Sequence, residues 1–501
     1  MSAAEALYDI NRQVPDINEG VLLTAGAGIA KGFIPYKDLF FIHTPFAYFW
    51  LSWIAPHPSQ LAFAHYVEAV VFVLGSLTVF VIGRKIRNTL TGLVAALLVL
   101  SDLFTLIFRV QLGPENWLKF FGLVTLACLL VWVEHHSRKW LMLAGAAAAA
   151  AFWSFQFGAL AVILVFLVII WNNFKTRPPR IIGYQLLIAL AGMLIVSAPF
   201  LTYFAVNNVM GQFVQAVIGV PLVQNGGASG MLDRLLSLQS PLHPVIVANV
   251  YADLESKLLW PVFWLYLIYT GWRWGHNGKS DKSMLLIVYF SMFYLAITAY
   301  EPNFAQHTLP LIPIMEVGAA SLIATVFERE ITWLRALRIH PSHIFHLRSN
   351  LIPFISGILL LSIISISIVS VPSSIQKVQN YYKGGADVPP PSLVAYIDRW
   401  TTPSQRIIVP SSPLTYYFSE RQPAIAHYFH CYTTEAVEAL EIGTAIYTRR
   451  AALVVIDNTS GNSVELAIRF EVIHSGAYHR AAEIGRYDVY ALNEPKNSTV
   501  V

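Results

Sequence analysis

Apolar residues in this chain fall in blocks of about 18 to 25, each bounded by a charged cluster, and that is the length a helix needs to cross a hydrocarbon core about 30 Å thick. A chain built from such blocks is a polytopic membrane protein. Composition agrees: 56% of the 501 residues are hydrophobic and 12% are charged, against roughly 25% charged in a soluble protein. Too little polar surface remains to coat a water-soluble globule. The periodicity predicts ten spans, at about 61–83, 90–108, 116–134, 140–155, 157–173, 183–204, 257–274, 283–300, 306–327 and 350–371, the fourth and fifth parted only by Ser154 and Gln156.

Basic residues in short loops fix orientation. One set of alternate loops carries Arg84, Lys85, Arg87, Arg138, Lys139, Lys175, Arg177, Arg180, Arg273, Lys279, Lys282, Arg329, Arg335, Arg338 and Arg348, while the opposite set holds only Arg109, Lys119, Arg234 and Lys257. The first set is expected to face the cytoplasm. The N-terminal segment and everything after residue 372 then lie on the outer side. Residues 1–15 have neither a basic n-region nor an apolar h-region to export them, so a span preceding this sequence is expected. The net charge of +4 is small and no nucleic-acid partner is indicated. Cys128 sits in a span and Cys431 in the tail, which argues against a disulfide between them.

Residues 16–55 are apolar but interrupted by Gly32, Pro35, Lys37, Asp38, His43 and Pro45, so they are expected to lie along the outer face. Two short helices fit, one over about 18–31 capped by Asp16 or Asn18 and one over about 45–55 opened by Pro45. Residues 205–256 form a long outer loop with Asn225, Gly226, Gly227 and Gly230 at its centre, either a lid over an outward-facing cavity or a connector. Beyond residue 372, Pro389, Pro390 and Pro391 mark a linker. Strands are expected at 406–410, 451–457 and 488–492, with helices near 392–400 and 433–447, giving a small α/β domain. The expected organisation is an outer-face segment over 1–60, a membrane body over 61–371 and an extracytoplasmic domain over 372–501.

Ionisable groups at a membrane border are costly unless they face water or one another. Asp16, Glu19, Asp38 and His43 gather in the outer-face segment, Arg109, Glu115 and Asn116 flank a turn between spans, and Gln306 and His307 open a late span. An interfacial helix with its acids in headgroup water, a structural Arg109–Glu115 ion pair and a satisfied interfacial histidine are the plainer explanations. Gly26, Gly28 and Gly32 mimic a dinucleotide fingerprint, but no strand precedes them and close packing explains them better. No glycine-rich phosphate loop accompanies the late strands. No Asp-x-Asp pair or His/Cys spacing supports a metal, so a divalent ion is possible but unsupported. Asn458 and Asn497 fall in glycosylation sequons, which are common by chance.

The string PDINEGVLLTAGAGIAKGFIPYKDLFFIHTPFAYF over 15–49 resembles the first outer loop of the GT-C superfamily glycosyltransferases, in the branches similar to protein mannosyltransferases and aminoarabinose transferases. Gly32, Pro35, Tyr36, Asp38, His43 and Pro45 follow the order of that motif. The adjacent Asp-Glu that usually opens the loop is here Asn18-Glu19, with Asp16 displaced by two positions. The resemblance implies transfer of a sugar from a polyprenyl-phosphate donor to an acceptor hydroxyl of a lipid, glycan or protein on the outer face, with inversion. Asp16 or Glu19 would be the base, Asp38 and Glu115 would orient acceptor or sugar, and Arg109 and His307 would contact the lipid phosphate. The competing class is a transporter or flippase, against which stand the absence of an inverted repeat and the collection of polar groups at one face.

Overall fold

The computed structural model describes residues 17–102, 105, 108, 111–174, 177–236, 254–277, 282–300, 305–339, 388–410, 412–428, 435–459 and 463–493. The chain divides into two compact units, one built mainly from residues 68–200 and 222–380 and the other from 7–67, 201–221 and 381–501.

The first unit is helical. Among the described residues four helices are long and apolar enough to cross a membrane, Pro58–Ile86, Pro114–His135, Gln156–Asn173 and Pro179–Val206, the first and last of which run across the division between the units. Helices Thr89–Ser101, Arg138–Ser154, Leu254–Asn277, Ser283–Ala299 and Ile312–Ile339 accompany them. Nine of the ten expected spans thus coincide with helices, and the tenth, at 350–371, lies outside the described residues. The span expected over 90–108 ends earlier, at Ser101. There Asp102 takes an extended conformation and its carboxylate accepts from the Thr105 N–H at 2.7 Å, a local bond that competes with continuing the helix.

Close packing of small residues sets the helix spacing. A Cβ on Gly192 would lie 2.0 Å from the Met142 carbonyl oxygen, and one on Gly145 would lie 2.1 Å from that of Ala189. In lipid, where apolar faces gain little from each other, such backbone approach is a main source of association. Trp153 donates to Ser197 at 2.9 Å across the same pair of helices.

Basic residues of alternate loops meet at one end of this unit. Lys85 and Lys282 lie 2.7 and 3.6 Å from the Glu134 carboxylate, and Arg87 reaches Thr325 at 2.6 Å and Glu328. Lys119, counted above among loop cations, is instead inside helix Pro114–His135 and buried.

The second unit joins the segment that holds Glu19 and Asp38 to the α/β domain. Helices Ile17–Ala30 and Phe46–Ile54 pack against each other, with Gly26 opposite the Leu51 backbone. The sheet has the order β2-β1-β3-β5-β4, where β1 is Arg406–Ile408, β2 Gln422–Pro423, β3 Leu453–Asp457, β4 Tyr478–Ile484 and β5 Tyr487–Leu492. The β1 pairings with β2 and β3 are parallel, whereas the β3–β5 and β5–β4 pairings are antiparallel. Helices Pro391–Trp400, Pro413–Phe418, Glu435–Tyr447 and Ser463–Ser475 complete it. Residues 21–40 dock on this domain through hydrogen bonds: Thr24 donates to the Pro413 carbonyl at 2.8 Å, Tyr428 to that of Val21 at 2.8 Å, and the Phe40 N–H to that of Ala426 at 3.0 Å.

The described part of the stretch expected as a long loop is helical over Met210–Val214 and Val220–Gln224, with one π turn between, and over Gly227–Leu236. Gly226 and Gly227 have φ +69 and +71, a tight turn that side chains with a Cβ rarely adopt.

Candidate active site

Helix Ile17–Ala30 fixes Glu19 in its first turn, where a carboxylate complements the helix dipole. Glu19 is fully buried, and its carboxylate lies 3.9 Å from the equally buried imidazole of His65. His65 lies inside the apolar run 61–86, where sequence reading passed over it.

The loop Gly32–Pro45 is a tight construction. Gly32 has φ +91, and Tyr36 at φ +66 adopts a left-handed conformation that a bulky residue rarely holds. Three rings hold it, those of Phe41, Phe204 and Phe213 at 5.4, 5.7 and 5.4 Å, and its hydroxyl donates to the His43 carbonyl at 2.7 Å. Burial pushes the Tyr36 phenol well above its usual value, so it stays a donor. Asp38 is half-buried and accepts from the Ile34 N–H at 2.8 Å through Oδ2. Strain held in place by surrounding packing is a mark of functional loops.

In the first unit, Glu115 opens helix Pro114–His135 and lies 4.0 Å from His307, which sits in the turn Ala305–Thr308. The rings of Phe155, Phe157 and Tyr300 surround the imidazole at 5.6, 5.9 and 5.7 Å. Asn116 donates to the Phe108 and Gln111 carbonyls at 2.7 and 2.9 Å, closing the chain that leads into the helix. The structure therefore brings Glu115 and His307 together. Asp16 and Arg109 lie outside the described residues, as does the side chain of Gln306, which belongs to the same turn as His307.

Sequence reading also missed Glu68, Asp102, Lys119 and Glu316, all buried. Trp117 donates to Glu68 Oε1 at 2.8 Å. The signal was present: Glu115 and Lys119 are four apart, and His65 and Glu68 three apart, so each pair shares a helix face. Among the described residues no group of three or more His, Cys, Asp or Glu is arranged to hold a metal ion.

A family model described as dolichyl-phosphate-mannose-protein mannosyltransferase matches residues 39–203. Among solved structures, the chain resembles ArnT from Cupriavidus metallidurans bound to undecaprenyl phosphate, with a TM-score of 0.61 at 14% identity over 98% of this chain and 96% of that one. The chain has the ArnT fold. The archaeal oligosaccharyltransferase AglB from Archaeoglobus fulgidus, solved with an inhibitory peptide and a dolichol-phosphate, shares this fold at TM-score 0.54 and 12% identity, over 97% of this chain and 72% of that one. No curated protein matches it in sequence. Identities this low carry the architecture and leave the sugar and the acceptor to the chemistry of the site. The motif resemblance over residues 15–49 implies the same architecture, although the family match begins only at residue 39, after Glu19 and Asp38.

Proposed function

We propose that this chain is a GT-C-type glycosyltransferase that moves a sugar from a polyprenyl-phosphate donor to an acceptor hydroxyl on the extracytoplasmic face, with inversion of the anomeric centre. A polyprenyl phosphate is already a competent leaving group. The protein then needs a base for the acceptor hydroxyl and donors for the departing phosphate. In this reading Glu19 or Asp16 takes the proton, Asp38 and Glu115 orient acceptor or sugar, and His307, with Arg109 and Gln306, contacts the phosphate. His43 binds substrate in the same reading.

The observation that carries the reading is Glu19, a carboxylate removed from water beside His65 at the start of the motif-bearing segment. Away from bulk solvent a carboxylate acts more strongly on a neighbouring hydroxyl. The donor class is supported by the ligands named for the two similar structures, undecaprenyl phosphate and a dolichol-phosphate.

Sidedness follows from the loop charges: the end bearing Lys85, Arg87 and Lys282 faces the cytoplasm, and the α/β domain faces outward, in an inner or plasma membrane. The domain plan read from sequence, with 61–371 as membrane body and 372–501 as outer domain, belongs to this proposal. Incubating membranes with a panel of radiolabelled polyprenyl-phosphate sugars identifies donor and product, and labelling a cysteine at position 38 from each side in turn tests orientation. Labelling from the cytoplasmic side alone overturns the reading.

A further inference from the structure

We propose that Lys119 is a positioning residue for the Glu115–His307 pair, its buried ammonium gathering carboxylates from three other segments around the helix that presents Glu115. The acids are Glu68 in helix Leu61–Ile86, Asp102 at the end of Thr89–Ser101 and Glu316 in the first turns of Ile312–Ile339, and each lies within electrostatic range of Lys119. Lys119 Nζ is buried, finds no hydrogen-bond acceptor among the described residues, and stands 5.8 Å from the centre of the Phe72 ring. It therefore acts through its charge, not through one directed bond. Three acids around one ammonium also make this a poor site for an anion such as phosphate, which argues for a role inside the protein.

In a low-dielectric interior unlike charges attract strongly and an unpaired charge is costly. Remove the ammonium and the acids must take up protons or move apart. Their segments carry the pair. Glu115 stands one helical turn before Lys119, and His307 lies in the turn that leads directly into the helix of Glu316. Parting those segments separates Glu115 from His307, now 4.0 Å apart.

The activity readout rests on the glycosyltransferase reading, so a second readout is independent of it. Full-length Lys119→Met and Lys119→Arg variants in proteoliposomes are treated with diethyl pyrocarbonate, and carbethoxylation of His307 is followed by peptide mass spectrometry. Expected is labelling about tenfold faster in Lys119→Met and near wild-type in Lys119→Arg. For transfer, Lys119→Met should lower kcat/KM in the wild-type background and have no further effect in a His307→Ala background. Unchanged labelling in a folded Lys119→Met protein overturns the proposal, as do effects that multiply in the double variant. If Lys119→Met does not fold, Lys119→Met/Glu68→Gln removes one charge of each sign and must still show the faster labelling; a wild-type rate there overturns the proposal. A wild-type protein without transfer activity sinks the enzymatic reading, while the labelling still decides the role of Lys119.

Discussion

Single side chains carry the chemistry, and their placements predict different failures. Glu19→Gln keeps the shape of the first turn of its helix and removes only the charge, so transfer should fall by about 10²- to 10⁴-fold, the range of a lost general base, with folded yield unchanged. Assays of transfer in membranes check it, and full activity would remove Glu19 from the mechanism. Asp38 combines two roles, because its Oδ2 also accepts from Ile34. Asp38→Asn retains an acceptor and should lose activity alone, whereas Asp38→Ala should also loosen the loop by about 1 kcal/mol; a thermal melt beside the assay separates them. At this scale the sequence was partly readable. Asp38, Glu115 and His307 stood out because each adjoins a break in an apolar run. His65, Glu68 and Glu316 did not, because each is embedded among apolar letters of a helix and only tertiary packing shows what faces it.

Elements were more legible than residues, since span length and turn chemistry are local. The helices at 18–31 and 45–55 were expected nearly where Ile17–Ala30 and Phe46–Ile54 fall, and strands were expected at three of the five strand positions of the sheet. Strand Tyr478–Ile484 escaped because its residues, YHRAAEI, are mostly solvent-facing and lack alternation of apolar and polar positions. Helix contacts were invisible as well: nothing in a run of apolar letters says which glycine meets a backbone. Two glycines of helix Pro179–Val206 make that testable. Gly192→Ala would place its Cβ 2.0 Å from the Met142 carbonyl, which cannot rotate away, so the helix pair must separate and folded yield should drop sharply. Gly183→Ala meets nothing within 4 Å and should be neutral, or stabilising by up to about 1 kcal/mol through helix propensity. Thermal unfolding in detergent compares them; equal melting temperatures for the two variants would show that this contact does not hold the helices.

At the scale of the whole chain, the sequence did not reveal that residues 7–67 and 381–501 share one compact unit, because the bonds joining them link positions nearly 400 apart. One of these junctions titrates. Burial pushes the Glu441 carboxyl up, but the His427 imidazole at 2.7 Å and the N–H groups of Ala426 and His427 more than offset it, leaving its pKa below the ordinary carboxylate value. Those same two residues hold the Gly32–Pro45 loop, since the Phe40 N–H donates to the Ala426 carbonyl and the Phe40 ring lies 4.4 Å from that of His427. A group whose pKa is depressed by folding contributes stability that is fully present above its unfolded value and is lost as pH falls through the folded value. The loop beside Asp38 should therefore stay protected from neutral pH down to the ordinary glutamate range, and open below it as Glu441 gains a proton. Glu441→Gln, which cannot accept through two charged oxygens, should show the opened behaviour already at pH 7. Amide hydrogen exchange over residues 38–42 and 424–428, corrected for intrinsic rates, reads both arms. Equal protection of wild type and Glu441→Gln at pH 7 would mean that packing of the Phe40 and His427 rings, and not this carboxylate, ties the loop beside Asp38 to the α/β domain.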